Sequence, residues 1–95
     1  MYMSVVIVGG NEGMTAQYES ICKEHGHKAK VFPKENASLK KKMGTPDLLI
    51  LFISTVSHKM VIGVTQEAKK NGVPIERVPT SSASALRAAL SRYAG

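Results

Sequence analysis

The chain has 95 residues, of which 43% are hydrophobic and 21% charged, and it carries a net charge of +6. Its length predicts one domain, spanning residues 1–95, and its composition excludes a wholly disordered chain. No apolar run approaches the roughly 20 residues of a membrane span, and no N-terminal stretch resembles a signal peptide. We therefore expect a cytoplasmic protein that does not enter a membrane.

Four apolar runs predict four β-strands. The first and third runs are nearly continuous in Val, Ile and Leu, which is typical of strands buried on both faces. The second alternates Ala29 and Val31 with lysines, which suits an exposed sheet edge. The predicted strands are Met3–Val8, Lys28–Phe32, Leu48–Ile53 and Val73–Val78.

Between and after the strands, apolar residues recur at helical spacing. The predicted inward positions are Met14, Tyr18, Ile21, Cys22 and His25, then Leu39 and Met43, then Met60, Val61, Val64 and Ala68, and finally Leu86, Ala89, Leu90 and Tyr93. The N-cap residues predicted for the last three helices are Asn36 or Ser38, then Ser57, then Ser81 or Ser82. The single cysteine, Cys22, excludes an internal disulfide and is expected to be a small buried side chain.

Strands that alternate with helices predict an α/β fold with a parallel sheet. Because crossovers are right-handed and the first and third strands are the most apolar, these two should be central neighbours. The prediction is a Rossmann-like three-layer sandwich with a four-stranded parallel sheet in the order 2-1-3-4 and helices on both faces.

Such sheets bind ligands at the carboxyl ends of their strands, where the winding direction changes. Here that point lies between the glycine-rich loop after strand 1 and the Ser-Thr-Val-Ser-His turn after strand 3. We predict a site for a small anionic ligand, phosphate or nucleotide-like, because helix-start amides and glycine-rich loops hold anions. The candidate site residues are Gly9, Gly10, Asn11, Glu12, Gly13, Ser54, Thr55, Ser57, His58, Lys59, Thr80, Ser81 and Ser82.

Two alternatives rest on His58. It could act as a general acid or base in an enzyme for a phosphorylated or acyl substrate, or it could ligate a metal. His25 and His27 have no Asp, Glu or Cys at ligand spacing and are expected at the opposite end of the sheet, so they do not predict a metal site. The sequence names no cofactor.

The basic charge permits several partners without selecting one. Nucleic acid is not favoured, because no platform of interleaved aromatic and basic residues accompanies the charge. The run Lys40–Lys42 offsets the dipole at the end of the second helix; alternatively it forms a docking patch for an anionic partner. A small sheet leaves edges and helix faces to cover, so we expect a homodimer.

Three motifs carry a family resemblance: Val8-Gly9-Gly10, Val56-Ser57-His58, and Thr80-Ser81-Ser82 leading into the last helix. With these the chain resembles the prokaryotic domain of unknown function 2325 family. It departs from the family pattern at Asn11, where Arg is frequent, and at 33–36, where a Gly- and His-rich segment is frequent. The resemblance implies a small Rossmann-like domain that self-associates, with Ser57 and His58 in a shared site. It also suggests haem binding, for which His58 would be the axial ligand beside an apolar slot.

Overall fold

The four apolar runs form the strands of one parallel sheet. A computed structural model describes residues 3–34 and 39–92. The strands are β1 (Ser4–Val8), β2 (Lys28–Phe32), β3 (Leu48–Phe52) and β4 (Ile75–Val78). Their order is β2-β1-β3-β4 and every pairing is parallel, with Val6 opposite Lys30 on one side and Leu49 on the other. The predicted fold class and strand order are confirmed.

Helices follow the strands at the predicted places. They are α1 (Thr15–Glu24), α2 (Leu39–Met43), α3 (His58–Lys70) and α4 (Ala83–Ser91). Short 3₁₀ turns precede α1 and α3, at Glu12–Met14 and Ile53–Thr55. Ser57 and Ser82 are N-caps, as predicted, and their hydroxyl groups accept the amides of Met60 and Ala85. Among the described residues, no helix combines the length and the apolar character needed to cross a bilayer.

Strand alternation divides the core into two layers. On one face, alternate residues of β1 and β3 pack with α1 and α4; the chief members are Val5, Ile7, Leu48, Ile50, Phe52, Tyr18, Ile21, Leu86 and Leu90. On the other face, the intervening residues pack with α2 and α3; the chief members are Val6, Val8, Leu49, Leu51, Leu39, Met43, Met60 and Val64. All five residues of β3 are buried, and full burial of one such side chain contributes about 1.5–3 kcal/mol.

Three predicted strand ends differ from the structure. Met3 precedes β1, which begins at Ser4. Ile53 lies in a 3₁₀ turn and is 40% exposed, because the chain bends there and the Thr55 hydroxyl donates to the Phe52 carbonyl at 3.1 Å. Val73 precedes β4, and its amide donates to the Ala68 carbonyl at 2.8 Å at the end of α3. The predicted caps Asn36 and Ser38, and Tyr93 on the last helix face, lie outside the described residues.

Candidate functional site

The loops after β1 and β3 touch at the carboxyl edge of the sheet. The connection from β1 leads outward to β2, whereas the connection from β3 leads the other way to β4, so the winding direction changes between these central strands. The Thr55 hydroxyl accepts the Gly10 amide at 2.6 Å and donates to the Phe52 carbonyl. The hydroxyl thereby joins the two loops that the topology places at the ligand-binding edge.

Close packing explains why two glycines follow β1. Both have positive φ, 89° at Gly9 and 92° at Gly10. A Cβ atom on Gly9 would lie 2.7 Å from Thr55 Oγ1, and one on Gly10 would lie 2.7 Å from Tyr18 Cε2. A side chain at either position would therefore meet both backbone strain and a steric clash.

The Tyr18 hydroxyl connects the β1 loop to the turn after β4. Tyr18 has no exposed surface, and its ring centroid lies 5.2 Å from that of Phe52. Its oxygen accepts the Asn11 amide at 3.1 Å and donates to the Ser81 carbonyl at 2.6 Å. The sequence placed Tyr18 only on the buried helix face. Its role in connecting the loops could have been inferred from the hydroxyl group, because a buried tyrosine hydroxyl usually finds a hydrogen-bond partner.

A cleft of about 530 Å³ lies at this edge between the loops that follow β1, β2 and β3. The described residues that line it are Gly10, Asn11, Glu12, Pro33, Lys34, Thr55, Val56, Ser57 and Met60. The sequence did not identify Pro33, Lys34, Val56 or Met60 as site residues. Lys34 could have been found, because in a parallel sheet the end of β2 lies at the same edge as the ends of β1 and β3.

One ion pair spans the loops after β1 and β2. Lys34 Nζ lies 3.2 Å from Glu12 Oε1, and the two side chains are 75% and 57% exposed. A pair this exposed contributes only about 0–1 kcal/mol, because water and salt screen it. An incoming anion can therefore compete with Glu12 for the ammonium group at little cost.

The start of α3 forms another side of the cleft. The Ser57 hydroxyl accepts the Met60 amide at 3.2 Å and keeps its own proton for donation. His58 and Lys59 follow in the first turn, and both are exposed but do not line the cleft. Amide groups in a first helical turn have no partner within the helix and carry the positive end of its dipole.

The other predicted site residues lie around the cleft. Gly9 is buried, the Gly13 amide donates to Asn11 Oδ1 at 2.8 Å, and Ser54 is exposed in its 3₁₀ turn. The turn Thr80–Ser82 follows β4 at the same edge and is connected through Tyr18, but it does not line the cleft. Its serine at position 82 caps α4.

His27 and Cys22 are structural groups remote from the cleft. His27 Nδ1 accepts the Met3 amide at 3.0 Å at the start of β1, and burial, followed by nearby His25, lowers the His27 pKa. Burial and then Glu19 raise the pKa of Cys22 to about 11, which keeps it a thiol. Within the described residues, no three His, Cys, Asp or Glu side chains are grouped to hold a metal ion.

The fold and the cleft together define a small Rossmann-like α/β protein with a polar cleft at its topological switch point. The chain belongs to the family described as an uncharacterized protein conserved in bacteria (DUF2325), whose sequence profile matches residues 4–93. The predicted family membership is confirmed. Comparison with curated proteins and with solved structures gave no significant match.

Proposed function

We propose that this protein binds a small anionic ligand, of the phosphate or nucleotide class, in the cleft at the carboxyl ends of β1, β2 and β3. The observation that carries the proposal is the meeting of an exposed ammonium group, Lys34, and a helix start, Ser57, in one cleft. Both features favour negative charge, and the cleft occupies the place where open α/β sheets bind ligands.

The ligand would be held mainly from the β2 and α3 sides. The amides of Gly10 and Asn11 already donate to Thr55 and Tyr18, so the proposal does not use them as donors. The groups that can donate are the Lys34 ammonium and the Ser57 hydroxyl, which lie beside the positive end of the α3 dipole. In this arrangement the glycine-rich loop after β1 shapes the cleft. The Glu12 carboxylate pairs with the Lys34 ammonium group until an anion replaces the carboxylate.

A titration followed by ¹H–¹⁵N NMR tests the proposal. Inorganic phosphate, sulfate, AMP and ADP would be added at constant ionic strength, and amide shifts are expected at residues 57–60 and 34. Lys34→Gln should weaken binding about tenfold, which corresponds to about 1.4 kcal/mol.

Lys70→Gln is the matched control. It removes one exposed charge from the last turn of α3, at the far end of the helix from Ser57. If the two variants weakened binding equally, the binding would be a nonspecific effect of net charge. The absence of amide shifts with all four anions would refute the proposal.

A further inference from the structure

We propose that the outer edge of β2 is a docking groove for an acidic, extended segment of a partner protein. This surface is separate from the cleft and does not depend on its ligand. The groove is defined by two adjoining depressions, of about 610 and 300 Å³, which share Glu19 and Ala29 and run along β2 from His27 to Phe32.

The backbone of β2 is open along this edge. The Lys28 amide donates to Met3, and the Phe32 carbonyl accepts from Gly9, so residues 28, 30 and 32 direct their peptide groups toward β1. Because successive residues of a strand alternate in this direction, the amide and carbonyl groups of Ala29 and Val31 point to the other side. Within residues 3–34 and 39–92, no strand pairs with that side. Four backbone groups are thus available for an added strand.

Positive charge from three elements converges on the same groove. The lysines that line it are Lys23 of α1, Lys28 and Lys30 of β2, and Lys41 and Lys42 of α2, and all five are exposed. With Glu19 as the acidic lining residue, the five lysines give the groove a net charge of +4, against +6 for the whole chain. In the part of the chain that the structure describes, none of the five forms an ion pair.

Protection of the edge against aggregation does not account for this arrangement. Lysines on an edge strand discourage pairing with other strands, and Lys28 and Lys30 are enough for that purpose. The lysines of α1 and α2 are not on the strand, yet they line the same groove. These lysines attract carboxylates, so they favour the docking of a strand that carries acidic residues.

The two faces of β2 specify the pattern of the partner. Lys28 and Lys30 lie on the face that packs with α2, whereas Ala29 and Val31 are half-buried on the face that packs with α1. A strand added beside β2 would present its own side chains alternately to these faces. The fitting segment therefore alternates acidic and apolar residues. A nucleic acid is disfavoured, because it cannot form strand hydrogen bonds with Ala29 and Val31.

Fluorescence anisotropy with labelled peptides tests the groove. The probe is a peptide of alternating glutamate and valine, and the control peptide has the same composition with the glutamates in one block. At physiological salt the alternating peptide should bind at least about tenfold more tightly than the block peptide. Equal affinity of the two peptides or of a DNA duplex, or no binding up to about 1 mM peptide, would overturn the proposal.

Two variants and one matched control separate the contribution of charge from that of backbone pairing. Lys30→Gln with Lys42→Gln should weaken the alternating peptide about tenfold, whereas Lys69→Gln with Lys70→Gln, which removes the same charge from α3, should change it less than about twofold. Ala29→Pro removes an outward amide without affecting the bonds to β1, and it should also weaken binding. If the two double variants weaken binding equally, the docking groove is refuted, whether or not Ala29→Pro folds.

Discussion

Removal of one hydroxyl group, in Tyr18→Phe, should loosen the loops around the cleft while leaving the core intact. The phenyl ring keeps its contacts with Phe52, but the variant loses the bonds to the Asn11 amide at 3.1 Å and the Ser81 carbonyl at 2.6 Å. Each such bond contributes about 0.5–1.5 kcal/mol net. Because Asn11 is exposed and can bind water instead, we expect a total loss of about 1–2 kcal/mol.

Urea unfolding followed by circular dichroism measures this loss. The free energy of unfolding should fall by that amount at an unchanged m-value, and the melting temperature should fall by roughly 4–8 °C for each kcal/mol. Hydrogen exchange at the Asn11 amide should accelerate more than exchange in the strands, because its partner is gone. Ser91→Ala is the control, since this exposed hydroxyl donates to the Arg87 carbonyl of the same helix, and its loss should stay within about 0.5 kcal/mol. A Tyr18→Phe protein within about 0.3 kcal/mol of wild type would refute this role of the hydroxyl.

Three further predictions concern the cleft, the buried histidine and the assembly. Glu12→Gln should tighten phosphate binding about three- to tenfold at low salt, because it frees Lys34 and removes a repelling carboxylate; weaker binding in calorimetry would contradict this. Burial lowers the pKa of His27 from 6.5 in the folded protein, so the unfolded chain protonates this histidine more readily. The free energy of unfolding should therefore decrease as the pH is lowered below about 6.5, by at most about 1.4 kcal/mol per pH unit. Urea unfolding between about pH 7.5 and 5.5 should show a smaller fall for His27→Gln, which keeps an acceptor for the Met3 amide, and equal falls would exclude His27 as the cause. Ile62, 45% exposed on α3, is our candidate contact of a homodimer; wild-type protein should sediment as a dimer and Ile62→Lys as a monomer, and a monomeric wild type would end this idea.

The strands and their order could be predicted because burial produces a clear pattern of apolar residues along each strand. The run Leu48–Phe52 is apolar at every position, as a central parallel strand must be, whereas β2 alternates apolar residues with lysines, as an edge strand does. With right-handed crossovers, this contrast leaves one strand order. The ends of the strands were less predictable. Ile53 is a residue of the type that strands favour. The strand nevertheless ends before Ile53, because the hydrogen bond between Thr55 and Phe52 bends the chain.

The candidate site was predictable only in outline. Ser57 could be recognised as a cap because a cap depends on residues three positions apart, and the glycine pair could be recognised as a tight turn. The use of the Gly10 and Asn11 amides by Thr55 and Tyr18 depends on residues that are 45 and 7 positions apart in the chain. Local patterns carry no record of such distant pairings.

The sequence by itself determined the fold class, the strand order and which loops share an edge, because hydrophobic periodicity and chain handedness act within each element or between neighbours. Only the tertiary structure decided which groups in those loops remain free for a ligand, and that lysines from α1, β2 and α2 gather along one open strand. The physical reason is that hydrogen-bond donors and charges take their roles from whatever lies within a few ångströms, and the folded chain alone sets those neighbours.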